Sequence, residues 1–584
     1  PLPMVPAPTT PTVVMFIGFS SRDLLTKPSM VTGARRQNAG HDNGGEPKPM
    51  DYVIVGAGSA GCVLAARLTE DPNVQVTLLE AGPPDASVLI HCPAGLALLA
   101  KMGRANWAFQ TVPQAGLNGR RGYQPRGKVL GGSSSVNAMI YARGVPQDYD
   151  AWAAEGNIGW CWDEVLPFFK RAENNERGAD AWHGTGGPLN VMDLCDPNPF
   201  AHAFVEAGVQ AGQVHNADFN GRTQEGVGLY QVTHKGGERC SVAKGYLTPN
   251  RARPNLHVLT GVQATRVLLE QGRAVGVAYV QDGQEHTVRA EREVILSAGA
   301  FQSPQLLMLS GIGPADHLRQ HGIDVALDLP GVGAHLHDHP DVVQVFDAPR
   351  LKDLFGLSLS GMARTLRGIG EWRQHRTGLL TTNFAEAGGF IRSRPDVDYA
   401  DLQLGFRPMT FSFTEDGKMV LDPFPGLSAS VCHVRPATRG HVGLRCADPL
   451  QAPAIFYDYL SHPSDLQAMV AGMRWLRSIF SQEPIRSLVR EETAPGPDVS
   501  TDEQMADFVR AKGNTVYHPV GTCKMGSDPM AVVDARLRVH GIERLRVVDA
   551  SVMPTITSGN TNAPAIMIGE KASDMVLQDA LPIR

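Results

Sequence analysis

His518 stands in "NTVYHPVGTCKMG", residues 514–526. Imidazole titrates near neutrality, so this side chain suits taking a proton from a substrate and giving it back. Taken alone, it reads as readily as a structural histidine of the core. Asn560, in "SGNTNAPAIM" (558–567), offers an amide that both donates and accepts. Beside Gly559 it reads equally as turn chemistry. His335, His337, Asp338 and His339 cluster in "HLHDH", and all four are metal-ligand types. The metallohydrolase pattern H-x-H-x-D-H is one residue longer, so no metal site is expected. None of the eight cysteines forms a C-x-x-C pair, which argues against a zinc ribbon or a disulfide scaffold. Reduced thiols of a cytoplasmic enzyme are the plain reading.

Such groups need elements to position them, and the clearest lies near residue 50. "DYVIV" is a short β-rich run, "GAGSAG" (Gly56–Gly61) follows it, and "SAGCVLAARLTE" has helical character. "VQVTLLE" is a second strand ending on Glu80, 19 positions past Gly61. This is a βαβ unit. Gly56 allows the tight turn, Gly58 lets the backbone approach a pyrophosphate, and Gly61 lets helix and strand pack closely. A carboxylate at Glu80 accepts hydrogen bonds from ribose hydroxyls and repels a 2′-phosphate. The unit predicts a dinucleotide but does not separate NAD from FAD.

Two further segments belong beside it. "PRGKVLGGSSSVNAMIYARG" (Pro125–Gly144) sets three serines after two glycines, an exposed donor-rich backbone suited to phosphates or a polar ring edge. A flexible surface loop is the alternative, although "VLGG" and "VNAMIYA" are apolar for one. "RLRVVDAS" is strand-like and ends at Asp549. "NAPAIMIGEKASDMVLQ" predicts a helix with Asn562 as N-cap and Pro564 in its first turn, whose amino end carries partial positive charge.

The 584 residues exceed one ordinary core, so two or more domains are expected. A net charge of −6 leaves no basic footprint for nucleic acid. No run of about 18 uncharged apolar residues predicts a membrane span, and peripheral contact stays open. Residues 1–49 are rich in proline and threonine, then polar and glycine-rich, which predicts a disordered extension or tag. "VVMFIGF" is too short to span a bilayer and lacks the flanks of a signal peptide.

The serine loop resembles the first signature of the glucose–methanol–choline (GMC) flavoprotein oxidoreductases. "GAFQSPQLLMLSGIG" (Gly299–Gly313) resembles the second. "RPATRGHVGL", "ADPLQAPAIFYDYLSHPSDL" and "YHPVGTCKMG…VVDASVMPTITSGNTNAPAIMIGEKASD" are similar to further family segments, in the family's order. The wording around "DPNPFAHAF", "DFNGRTQEGVGLYQ" and "RCSVAKGYLTP" is closest to bacterial sorbose-, polyethylene glycol- and choline-dehydrogenase-like members. The resemblance spans residues 50 to about 578.

It implies an α/β (α+β overall) chain: a Rossmann-like FAD-binding domain with a discontinuous antiparallel-sheet substrate domain. The FAD domain would comprise 50–155, 238–340 and 510–584, and the substrate domain 156–237 and 341–509. The resemblance places FAD on Gly56, Gly58, Ser59, Ala60, Gly61, Glu80, Ala81 and Trp107. It adds Val129, Gly132, Ser133, Asn137, Ala138 and Met139 from the serine loop, Val262 at the adenine, and Asp549, Ala550, Asn562, Ala563 and Pro564 near the C-terminus. His518 becomes the base and Asn560 its partner on the substrate oxygen. The implied reaction takes a primary alcohol or polyol to an aldehyde or ketone by hydride transfer to flavin N5, with electrons passed to a quinone- or dye-like acceptor. An oxidase using O₂ and a cyanohydrin lyase with idle FAD are the alternatives. A flavin-containing scaffold is disfavoured, as it needs no base.

Two positions depart from the family's pattern. Choline oxidase-like members carry a flavin-linked histidine where this chain has Val136, so dissociable FAD is expected. His335 replaces the asparagine of the family's "PGVG-x-N-L-x-D-H" segment. Phe406, Arg407, Phe411 and Phe413 line a pocket or merely pack; the pattern does not decide.

Overall fold

The computed structural model describes residues 50–349, 359–413, 419–421 and 425–580. The predicted extension, residues 1–49, lies outside them. The strands that build the site are, in chain order, β1 (Met50–Val55), β2 (Val76–Glu80), β3 (Gly226–Leu229), β4 (Leu256–Thr260), β5 (Val262–Glu270), β6 (Arg273–Gln281) and β7 (Gln284–Leu296). Then come β8 (Pro340–Asp347), β9 (Ala387–Ile391), β10 (Leu402–Arg407), β11 (Gly426–His433), β12 (Glu491–Ala494), β13 (Asn514–Thr515) and β14 (Leu545–Val547). The helices are α1 (Ser59–Leu68), α2 (Trp162–Ala172), α3 (Pro199–Gln210), α4 (Gly299–Leu309), α5 (Pro463–Phe480) and α6 (Asn562–Asp579).

The first sheet runs β4-β2-β1-β7-β6-β5, with β14 also against β7. Its β4, β2, β1, β7 and β14 are parallel, and β5 and β6 extend it antiparallel. All five residues of β2 are buried, as expected for a parallel strand covered on both faces. Helices α1 and α6 pack closely: a Cβ on Gly569 would meet the Ala60 carbonyl oxygen at 3.0 Å. Glu570 fastens this layer. Its buried carboxylate takes Arg67 of α1 (2.8 Å), Arg171 of α2 (2.7 Å) and the Tyr246 hydroxyl (2.6 Å).

The second sheet is antiparallel, in order β12-β8-β11-β10-β9-β3. β13 adds to the start of β8, pairing Thr515 with Pro340, so the chain leaves this sheet just before His518. The period-2 alternation of β8, β10 and β11 divides their side chains. Val342, Leu402, Leu404, Phe406, Ala429 and Val431 belong to an apolar cluster with α3 and α5. Phe406 stacks on Phe204 at 4.8 Å and is packing. The opposite face looks into a cavity.

Candidate active site

That cavity, of about 490 Å³, runs from the glycine turn to the second sheet. It is lined at one end by Gly56, Gly58, Ser59, Ala60, Glu80, Ala81 and Val262, and along its length by Trp107, Gly132, Ser133, Asn137, Ala138, Met139, Asp549, Ala550 and Asn562. His518 and Asn560 line it further along. Gly61, Val129, Ala563 and Pro564, also predicted as cofactor contacts, do not line it. Gly61 is a packing glycine, since a Cβ there would stand 1.9 Å from the Gly56 carbonyl oxygen. Val129 packs in a cluster with Ile90 and Leu99. Ala563 and Pro564 are buried in the first turn of α6.

Asn562 is also not the N-cap predicted. The helix begins at Asn562 and Thr561 precedes it as cap. The Asn562 side chain turns outward, and its Oδ1 accepts from the Ser59 hydroxyl at 2.7 Å. One hydrogen bond therefore ties together the amino ends of α1 and α6, neither of which carries a side-chain cap.

His518 is held through its backbone. Its N–H donates to Asp338 Oδ1 at 2.8 Å, while Asp338 Oδ2 accepts from Thr515 Oγ1 (2.5 Å) and the Tyr459 hydroxyl (3.1 Å). Tyr517, just before it, has φ +70°, a left-handed backbone that a bulky residue adopts only when its surroundings enforce it. Arg126 donates to the Tyr517 carbonyl. Asn560 follows Ser558, whose N–H and hydroxyl both donate to buried Asp148 (2.7 and 2.8 Å) and whose carbonyl accepts from Gln224 (2.7 Å).

The two side chains meet. Asn560 Nδ2 donates to His518 Nε2 at 3.2 Å, and Asn560 Oδ1 accepts from Gln403 Nε2 at 3.2 Å. This assigns the His518 proton to Nδ1, from which it is donated to His339 Nδ1 at 3.0 Å. Burial, and secondarily the Arg126 charge, push the His518 imidazole down to about 3. Burial and the His518 ring hold His339 well below the ordinary imidazole value. Both rings are therefore neutral at pH 7, and His518 Nε2 carries a lone pair at the cavity wall.

Sequence reasoning gave no role to Asp338, His339, Arg126, Asp148 or Gln403. "HLHDH" drew attention as possible metal ligands, yet no spacing rule links it to residue 518. The pairing of β8 with β13 makes that link. His335 has φ +57°, a left-handed conformation in which asparagine and histidine are both enriched among non-glycine residues. Phe413's side chain lies outside the described residues.

Known proteins resemble this chain in sequence and fold. Residues 50–341 and 436–569 match the two GMC oxidoreductase family models. An alcohol dehydrogenase [acceptor] of Pseudomonas putida is 46% identical over 531 residues, covering 90% of this chain and 96% of that protein. The chain belongs to the GMC oxidoreductase family. An oxygen-dependent choline dehydrogenase of Brucella ovis is 44% identical over 530 residues, covering 90% of this chain and 95% of that protein. A solved structure of an Aspergillus oryzae formate oxidase, studied for modification of its FAD, superposes with a TM-score of 0.84. It is 28% identical, covering 91% of this chain and 98% of that one. This GMC protein is accordingly an FAD-dependent oxidoreductase.

Its residues fit the cofactor. Gly56 has φ +100°. A Cβ on Gly58 would meet nothing nearer than 3.9 Å, so that face of the turn is open to a ligand. Two uncapped helix amino ends at one cavity supply the N–H groups and partial positive charge that a pyrophosphate needs. Glu80 accepts from Ala57 N–H (3.0 Å) and Gly82 N–H (2.8 Å), and burial raises it to about 7 against those bonds. The serine loop is fixed by Arg239, which donates to the Asn137 carbonyl at 2.7 Å and to its Oδ1 at 2.9 Å. Val136 lines the cavity with no nucleophile to attach a flavin. Among the described residues, no helix is long and apolar enough to cross a membrane.

Proposed function

We propose that this protein oxidises an alcohol to the corresponding aldehyde or ketone, with His518 as the base and Asn560 as its partner on the substrate oxygen. The observation that carries the reading is the 3.2 Å pairing of Asn560 Nδ2 with His518 Nε2 at the wall of the cofactor cavity. A substrate hydroxyl inserted there gives its proton to Nε2 while Asn560 Nδ2 donates to its oxygen. The resulting imidazolium keeps its Nδ1–H on His339, whose neutral ring accepts without adding positive charge. Bound FAD supplies the two-electron acceptor for the carbinol hydrogen.

FAD is held non-covalently in this reading, and Gly56, Gly58, Ser59, Glu80, Asn137, Val262, Asp549 and Asn562 are its proposed contacts. Electrons leave to a quinone- or dye-like acceptor, in keeping with the acceptor named for the Pseudomonas relative. The proposed FAD domain (50–155, 238–340, 510–584) and substrate domain (156–237, 341–509) follow the two sheets, except that β13 sits on the second. Eight free thiols fit a reducing cytoplasm.

Anaerobic mixing of the yellow holoenzyme with primary alcohols should bleach its flavin. His518→Ala should slow that step by about 10²–10⁴-fold with FAD content unchanged. Near-normal reduction in the variant removes His518 from the chemistry.

A further inference from the structure

Beyond the His518–Asn560 pair, the cavity wall is one face of the second sheet. Asp341, Cys432 and Gln403 lie opposite one another across β8, β11 and β10, and Val343, Ser430 and Gly405 form the next row. All six line the cavity, as does Arg407 at the end of β10. The row begins at the reaction centre, because Gln403 Nε2 donates to Asn560 Oδ1.

Gly405 leaves room on this wall for the Ser430 and Arg407 side chains. A Cβ there would stand 3.1 Å from Ser430 Oγ and 3.5 Å from Arg407 Nη2. The guanidinium folds back over the glycine, and its Nη1 donates to Ser430 Oγ at 3.0 Å. It thus stands about 7 Å along the strand from Gln403, one two-residue step. Asp341 faces it from two strands away. Its carboxylate is buried, and among the described residues its Oδ1 has no hydrogen-bond partner. Burial raises Asp341 to about 6, while the Arg407 charge and Ser430 pull the other way.

A guanidinium has five N–H donors and a carboxylate only acceptors. Where a bound substrate displaces water without replacing its hydrogen bonds, both groups lose bonding at a cost. A quaternary trialkylammonium has no N–H to donate to Asp341 and cannot accept from Arg407, a carboxylate can accept from Arg407 but has nothing to donate to Asp341, and an alkyl chain does neither. A hydroxyl accepts from the one and donates to the other.

Resting on the assignment of His518 and Asn560 as the reaction centre, we propose that Arg407, with Asp341 and Ser430, selects neutral alcohols carrying a second hydroxyl, namely diols and polyols. This sets the protein apart from its choline-dehydrogenase relative, whose named substrate is a cation.

The test uses holoenzyme and anaerobic flavin reduction by 1-butanol, 1,4-butanediol, glycerol and choline. The wild type should prefer the diol and glycerol over 1-butanol and choline by about 100-fold or more in kcat/KM, as sites built around a substrate hydroxyl do. Arg407→Leu should collapse the diol-to-butanol ratio, chiefly through KM, and Arg407→Lys should recover part of it. Flavin content reports folding of each variant. If the leucine variant does not hold flavin, the lysine variant and Ser430→Ala decide by the same ratio. An unchanged ratio, or choline preferred to the diol, overturns the inference and leaves alcohol oxidation standing. Failure of every alcohol to bleach the flavin overturns both.

Discussion

His518 would be unremarkable as a residue type; its surroundings set its protonation state. It is buried, its Nδ1 faces a second neutral imidazole, and a guanidinium sits nearby. Burial and the guanidinium charge disfavour the charged form. The working form of a base is the unprotonated one. Because the folded imidazole is pushed down from 6.5 to about 3, that form persists as pH falls from 7 toward 5. The acid limb of kcat/KM for flavin reduction should therefore lie below pH 6.5. A pH profile of anaerobic reduction measures this, and a limb centred at or above 6.5 contradicts the assignment. Asp338 serves at the same scale, one oxygen holding the His518 backbone N–H and the other the Thr515 hydroxyl, on either side of the left-handed Tyr517.

At the level of elements, the strand–turn–helix at Gly56–Gly61 and the amino end of α6 make one site from segments some 500 residues apart. Ser59 and Asn562 join them. Their glycines differ in what they do. Gly61 has no room for a side chain within the protein itself, whereas Gly58 does. Gly61→Ala should disturb the packing of α1 on β1 and lower thermal stability. Gly58→Ala should fold with near-normal secondary structure but lose FAD affinity, because its methyl occupies the ligand's side of the turn. Circular dichroism and flavin content of the two purified variants separate these outcomes. Equal flavin content in Gly58→Ala and wild type places the pyrophosphate elsewhere.

At the level of the molecule, the cavity exists because two sheets with separate apolar clusters face it from different directions. Its lining comes from residue 55 to residue 565, so retention of FAD depends on the fold as a whole. Val136 offers no covalent bond in its stead. Unfolding in acid or detergent should release all the yellow cofactor into the supernatant after precipitation. Colour remaining on the precipitated chain contradicts non-covalent binding. Glu570 carries part of that global closure, since its buried carboxylate ties α1, α2 and Tyr246 to α6 through paired, charge-assisted hydrogen bonds.

The first βαβ unit was legible in the sequence because its determinants are local. Glycine spacing, a buried apolar run and a terminal carboxylate all act within about thirty residues. The α6 helix was legible for the same reason, though its cap was placed one residue late because local pattern cannot show that Asn562 turns to Ser59. Family motifs supplied His518 and Asn560 but not their supports. The His339–His518 contact joins positions 179 apart and the Gln403–Asn560 contact positions 157 apart. Arg407 and Phe406 are neighbours in sequence with opposite fates, one facing the cavity and one in the core. Only strand register assigns a face to each, and register is a property of the assembled sheet.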